Sequence, residues 1–235
     1  LNLGLPFAPA QVTASYLQWP LLPDLFPAFF AGVQSKRDEL VIEIKREPLI
    51  ERIKAYFNPE ISHEEMQRIC PRAMQSTARF EARPARDYLL KRGFLPQHIV
   101  PHCYRPLDLR WIYYEPEMRL LGEKSPDYFP QVFDGNVWIV SQQKPRREWS
   151  RPQFIRSIGC LDLMDRGASC IPLYLRPTNE TKPLLATHES KDPRILPNGT
   201  RLNLSDPLVA YLASIVTTDE APNVFYHALA ILHAP

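Results

Sequence analysis

Hydrophobic positions along the chain recur with two different periods, and the change from one to the other divides the sequence. Over residues 1–35 apolar and aromatic side chains are frequent but interrupted by Pro20, Pro23 and Pro27, which predicts a packed covering segment. LVIEI at 40–44 alternates in the manner of a strand. EPLIERIKAYFNP then sets Leu49, Ile50, Ile53 and Tyr56 at helical spacing and stops at Pro59. SHEEMQRIC opens on Ser62 with Glu65 three residues later, a capping-box signature, and ARPARDYLLKRGF predicts a helix ended by Gly93.

From residue 98 the texture turns to β. HIVPHCY, RWIYY, NVWIVSQ and SCIPLYL are short runs rich in Ile, Val, Trp and Tyr, separated by proline, glycine or charge. Residues 177–201 are polar and proline-rich, a long excursion of the kind that is functional or disordered. DPLVAYLASIV and PNVFYHALAILHAP return to helical spacing, with Val224, Leu229, Ile231 and Leu232 suited to a buried helix. The pattern predicts a mixed α/β fold with a central β-sheet over about 98–175, flanked by N-terminal and C-terminal helices. One domain, 1–235, is expected, with a mostly helical cover at 1–97, sheet and loops at 98–201 and C-terminal helices at 202–235.

Composition sharpens this picture. The 235 residues are 45% hydrophobic, enough for one substantial core or two small ones. A net charge of +2 and a pI near 8.4 do not announce a nucleic-acid binder, so any basic surface must be local. Proline is abundant at 25 residues and glycine scarce at 8, which favours rigid, proline-punctuated turns. Cys70, Cys103, Cys160 and Cys170 have no zinc spacing and are too sparse for a disulfide scaffold, so buried free thiols are expected. No apolar run reaches transmembrane length and no signal peptide is present, which predicts a cytoplasmic protein without membrane contact; the sequons at Asn179, Asn198 and Asn203 then carry little meaning. The start at Leu1 and the stop at Pro235 after an apolar helical run suggest a piece of something longer.

Three groups of residues could carry chemistry. HCYRPLDLRWIYYEPE, 102–117, sets Arg105 and Arg110 about Asp108 on a strand and turn, which favours a structural ion pair. QQKPRREWSRPQF, 142–154, places Gln142, Gln143, Lys144, Arg146, Arg147, Trp149 and Arg151 directly after a predicted strand, with Glu148 opposing. Arginine reads guanine, glutamine reads adenine and lysine holds phosphate, so this loop is the candidate DNA-binding segment, set against a plain solvated loop. Asp24, Glu43 and Lys45 fit a loose pattern of metal-dependent nucleases, but Pro27 and Gly32 break the strand that should join them, which makes an exposed strand pair the better reading. No histidine cluster predicts a metal site. Nucleophile-elbow, phosphate-loop and dinucleotide fingerprints are missing, and so is the Asn-Pro-Pro-aromatic stretch of adenine methyltransferases.

Taken in order, YLQWPLLPDLFPAFFAGVQSKRDELVI (16–42), YRPLDLRWIYY (104–114), CIPLYL (170–175), LNLSDPLVAYL (202–212) and NVFYHALAILHAP (223–235) resemble the C-terminal region of type ISP restriction–modification enzymes. Those are single-chain proteins joining a nuclease, an ATP-driven motor, an adenine methyltransferase and a terminal target-recognition domain. The resemblance implies a DNA target-recognition module with no catalytic residue of its own. Its partners would be double-stranded DNA and the methyltransferase domain of the same parent chain, which would use S-adenosylmethionine, ATP and Mg²⁺. Asp24 and Asp38 fall in family stretches unrelated to a nuclease site. Two departures stand out: Leu107 replaces the usual phenylalanine, and LLGEKSPDYFPQVFDG (120–135) does not follow the expected continuation, which withholds a base-reading role from that segment. A metal-dependent nuclease and a structural coupling domain that never touches DNA are the alternatives.

Overall fold

The computed structural model describes residues 14, 18–123, 125–142, 150–165, 167–176, 192–215 and 221–233. Among them the chain forms two compact units. A hairpin unit comprises Gly32–Val132 and Ser157–Leu163, and a terminal unit comprises Leu1–Ala31, Phe133–Arg156 and Met164–Pro235. In chain order the helices are α1 (Leu22–Leu25), α2 (Asp38–Val41), α3 (Arg46–Tyr56), α4 (His63–Ile69), α5 (Ala82–Arg92), α6 (Asp206–Ile215) and α7 (Ala221–His233). The strands are β1 (Phe30–Ala31), β2 (Ile42–Glu43), β3 (Ile99–Arg105), β4 (Asp108–Tyr113), β5 (Trp138–Ser141), β6 (Gln153–Ile155), β7 (Ile158–Gly159), β8 (Ser169–Pro172), β9 (Tyr174–Leu175) and β10 (Arg201–Leu202).

The mixed α/β class is the expected one, but the strands of 98–175, β9 apart, are shared between two four-stranded sheets, each completed by a short strand from the N-terminal part. In the hairpin unit the order is β2-β4-β3-β7, and in the terminal unit it is β1-β8-β5-β6, with β9 and β10 forming a separate pair. LVIEI is mostly not a strand. Residues 38–41 turn as α2, because the Asp38 carboxylate accepts hydrogen bonds from Ser35 Oγ and Tyr104 Oη, and only Ile42 and Glu43 pair with β4.

Local signals elsewhere act as expected. Ser62 accepts from the Glu65 amide at 3.1 Å while Glu65 accepts from the Ser62 amide at 2.9 Å, closing the capping box of α4. Gly93 ends α5 at φ +89°, where a side chain would be strained. Leu49, Ile53 and Tyr56 turn the buried face of α3 inward. Arg86 of α5 is 1% exposed, with Nε donating to the Tyr56 carbonyl at 2.9 Å and Nη2 to those of Asn58 and Ile61 at 3.1 and 2.8 Å. One guanidinium thus satisfies carbonyls at the end of α3 and in the turn after it, which the helix itself leaves open.

In the terminal unit Phe26, Ile139, Ile171, Leu173, Leu208, Leu212 and Phe225 form one apolar core, in which Phe26 meets Phe225 edge-on at 5.2 Å. Asn203 is 1% exposed; its side chain accepts from the Ala28 amide and donates to the carbonyls of Ala28 and Pro172. A fully used amide in that position binds the segment before β1 to β8. Of the long excursion, residues 177–191 lie outside the described residues. The remainder is anchored by Arg194, whose guanidinium pairs with Asp192 at 2.8 Å and Asp206 at 2.6 Å. All four cysteines are free, three buried and Cys103 half-buried.

Candidate nucleic-acid interface

The hairpin β3–β4 is built on the register Arg105↔Asp108, which leaves Pro106 and Leu107 as the turn. Asp108 and Arg110 are joined by a fork of hydrogen bonds, Nε at 3.0 and 3.1 Å and Nη2 at 2.8 Å, with about a third of each side chain exposed. The Arg110 guanidinium holds the Asp108 carboxyl below the usual carboxylate range. Arg105 does not join them: its Nη1 donates to the Tyr104 carbonyl at 2.7 Å and to Cys160 Sγ at 3.2 Å. Both guanidiniums pack on the Tyr104 ring, Arg110 at 4.0 Å and Arg105 at 4.4 Å from its centroid, and the Tyr104 hydroxyl donates to Asp38 at 2.8 Å. The base of the hairpin is therefore a rigid stack tied to α2.

Beside Asp38 in sequence, Arg37 lines a cleft of about 520 Å³ in the same unit, with Lys36, Arg72, Arg79 and Arg119 supplying further cations, Gln34 and Gln75 amides, and Glu123 a carboxylate. Arg37 is 5% exposed, donates Nη1 to the Leu120 carbonyl at 2.8 Å and packs its guanidinium 3.3 Å over the Phe80 ring. It forms no ion pair with a carboxylate among the described residues, and burial pushes its pKa down. Arg79 and Arg119 share Glu123 at 3.6 and 3.0 Å, and Arg72 faces Glu39 at 3.8 Å; the side chains of Arg72 and Arg79 are 60% and 77% exposed. Gly122 makes the wall possible. Its amide donates to the Gln34 carbonyl at 2.7 Å, and a Cβ there would lie 2.7 Å from that same oxygen. Five cations against one lining carboxylate suit a phosphodiester.

The cations of this cleft come from 36–37, 72–79 and 119, each too sparse to stand out in the sequence. The available signal was the stretch GVQSKRD (32–38), in which Arg37 precedes Asp38. The departing segment 120–135 supplies Leu121, Gly122 and Glu123 to the same wall, and Arg119 directly precedes it.

The loop singled out in the sequence connects β5 to β6, which pair antiparallel with Val140 opposite Gln153. Gln143, Lys144, Arg146, Arg147 and Trp149 lie outside the described residues. Gln142 follows β5, half-buried, and Arg151 donates Nη1 to the His233 carbonyl at 3.1 Å, a cation at the C-terminal end of α7. His233 Nε2 donates to the Pro152 carbonyl at 2.7 Å, so the loop's return is fastened to that helix end.

The two carboxylates of the nuclease pattern each have a local partner. The Asp24 carboxylate accepts from the Leu21 amide at 2.8 Å in α1 of the terminal unit. Glu43, in the hairpin unit, pairs with Arg52 at 2.9 Å, which holds its carboxyl below the usual range, and Lys45 precedes α3. Among the described residues no group of three His, Cys, Asp or Glu side chains could hold a metal ion, and no helix is long and apolar enough to cross a membrane.

The family model of the type ISP C-terminal specificity domain matches residues 24–235. The cryo-EM structure of a DrdV–DNA complex is similar at TM-score 0.59 with 19% identity, over 90% of this chain and 20% of that one. The ATP-dependent type ISP restriction–modification enzyme LlaBIII, bound to DNA, is similar at TM-score 0.56 with 14% identity, over 84% of this chain and 12% of that one. At these identities the likeness is one of fold, and the chain spans a fifth or less of those proteins. No curated protein matches the chain.

Proposed function

Because the chain belongs to the type ISP C-terminal specificity domain family, we propose that it is the DNA target-recognition module of a restriction–modification enzyme, positioning a duplex for adenine methylation and restriction carried out by other domains. The family match over residues 24–235 carries this reading. The cationic cleft supports it, because it offers phosphate contacts on a chain whose net charge is only +2. The DNA-bound state of the two similar structures agrees with it. On this reading the chain has no catalytic residue, and S-adenosylmethionine, ATP and Mg²⁺ serve the methyltransferase and motor parts of a longer parent.

Two kinds of contact divide the work. Arg72 and Arg79 in the cleft and Lys144 in the β5–β6 loop hold phosphates, which sets register without reading sequence. Gln142, Gln143, Arg146, Arg147 and Trp149 meet base edges, with Arg147 the guanine reader, and Arg151 steadies the loop from the end of α7.

A binding titration on a duplex selected from a random library, and on a scrambled duplex, at several salt concentrations tests this. Arg79→Ala and Lys144→Ala each weaken both duplexes alike and lower the log–log salt slope by about 0.9. Arg147→Ala costs about 1–3 kcal/mol on the selected duplex and relaxes specificity at one position. A wild-type chain that binds neither duplex, or three variants that bind as wild type does, overturns the proposal.

A further inference from the structure

We propose that Leu107 is a wedge that this chain inserts between stacked base pairs of its DNA target; the inference rests on the recognition function proposed above. Leu107 occupies the second position of the β3–β4 turn, with φ +63° and a relative exposure of 106%, as open to water as a leucine can be. A proline followed by a residue of positive φ is the order of a type II turn, whose second position belongs to glycine or asparagine because a Cβ there is strained. An exposed leucine alone is ordinary on a protein surface, and a left-handed residue alone is ordinary in a turn. Here one residue bears both costs, and glycine would relieve both. Folding gains nothing from leucine at this position, so its use lies outside the fold.

The surroundings fit one task. Pro106 fixes its own φ, the hairpin closes on Arg105↔Asp108, and below it Tyr104 lies against the Arg105 and Arg110 guanidiniums. The tip is thus held stiffly, as a wedge must be if it is to unstack bases rather than fold back. Tyr104 is bonded to Asp38, the neighbour of the cleft residue Arg37, so tip and phosphate cleft share one rigid frame within the hairpin unit. Arg105 forms no ion pair with a carboxylate among the described residues, which leaves positive charge beside the apolar tip. Leucine has no donor or acceptor and cannot read a base edge. It can only enter a base step and open it, as apolar side chains flanked by cations do in proteins that kink duplexes. A single side chain on a two-residue turn is, by contrast, far smaller than the patch a protein partner needs.

The experiment uses the whole chain and the selected duplex, with 2-aminopurine replacing each adenine in turn to report unstacking. Wild type should raise the fluorescence at one step. Leu107→Gly should unfold at or above the wild-type temperature, bind about 10-fold more weakly and lose the fluorescence rise, while Leu107→Phe keeps both. A wild-type complex with no rise at any step overturns the wedge and leaves recognition standing, as does Leu107→Gly binding and fluorescing like wild type. If Leu107→Gly loses only its association with an added methyltransferase domain, the residue belongs to a protein contact and the wedge is likewise overturned. A wild-type chain that binds no duplex sinks the recognition reading and the wedge together.

Discussion

Acidification should destabilise the hairpin unit through His102. This histidine lies on β3 at the point where β3 pairs in parallel with β7, is fully buried, and donates Nδ1–H to the Ile158 carbonyl at 3.0 Å. Its Nε2 is buried and has no hydrogen-bond partner among the described residues. Burial pushes its pKa from 6.5 down to about 4; Arg105 and Arg110 reinforce the drop, and Asp38 and the Ile158 carbonyl oppose it. The unfolded chain therefore binds a proton between pH 6.5 and 4 that the folded chain refuses. Stability is intact above pH 6.5 and falls as the pH drops towards 4. With those two values the loss is about 2 kcal/mol at pH 5 and approaches about 3 kcal/mol near pH 4. Urea unfolding followed by tryptophan fluorescence, on wild type and His102→Asn from pH 7.5 to 4.5, separates this group from the carboxylates. Asparagine keeps a donor for Ile158 and does not titrate. The variant should start less stable at pH 7.5, because the ring's volume is lost, and show a flatter pH dependence. Parallel curves would show that His102 does not carry the pH dependence.

Two further predictions concern charged groups that hold the fold. Asp108→Ala should cost about 1 kcal/mol or less, because the Asp108–Arg110 pair is partly exposed; a loss several times larger in thermal unfolding would mean that the pair is buried in solution. Arg86→Lys should cost about 2–3 kcal/mol in urea unfolding, since an ammonium cannot span the Tyr56, Asn58 and Ile61 carbonyls that the guanidinium reaches, and an unchanged midpoint would refute that role.

What could be read from the sequence was local. The Ser62–Glu65 capping box, the Gly93 stop, the inward face of α3 and the two strands of the β3–β4 hairpin follow from short-range rules, and each stands in the structure. What escaped was set by contacts remote in sequence. LVIEI alternates well enough for a strand, yet Tyr104, sixty-six residues beyond Asp38, helps hold its start as a helical turn. The partition of the 98–175 strands between two sheets depends on the partners β1 and β2, whose two-residue lengths carry no periodicity at all. Of the predicted Arg105–Asp108–Arg110 group, the pair two residues apart on β4 is brought together. Arg105, across the turn, is drawn instead to Cys160.

The same distinction explains how a nearly neutral chain can present a basic surface. Several arginines that the fold consumes are matched to acids: Arg52 to Glu43, Arg92 to Glu115, Arg110 to Asp108, and Arg194 to Asp192 and Asp206. Such pairs cancel in the net charge and in the field beyond a Debye length. Arg37 and Arg105 form no such pair among the described residues, and Arg72 and Arg79 meet their acids only at 3.8 and 3.6 Å and largely in water. Cations without a close acid are therefore gathered along the cleft and the hairpin base. A phosphate arriving there displaces loose carboxylates at little cost, whereas one arriving at Arg92 would have to break its pair with the fully buried Glu115. Geometry of pairing, rather than the count of basic residues, decides where this chain can hold an anion.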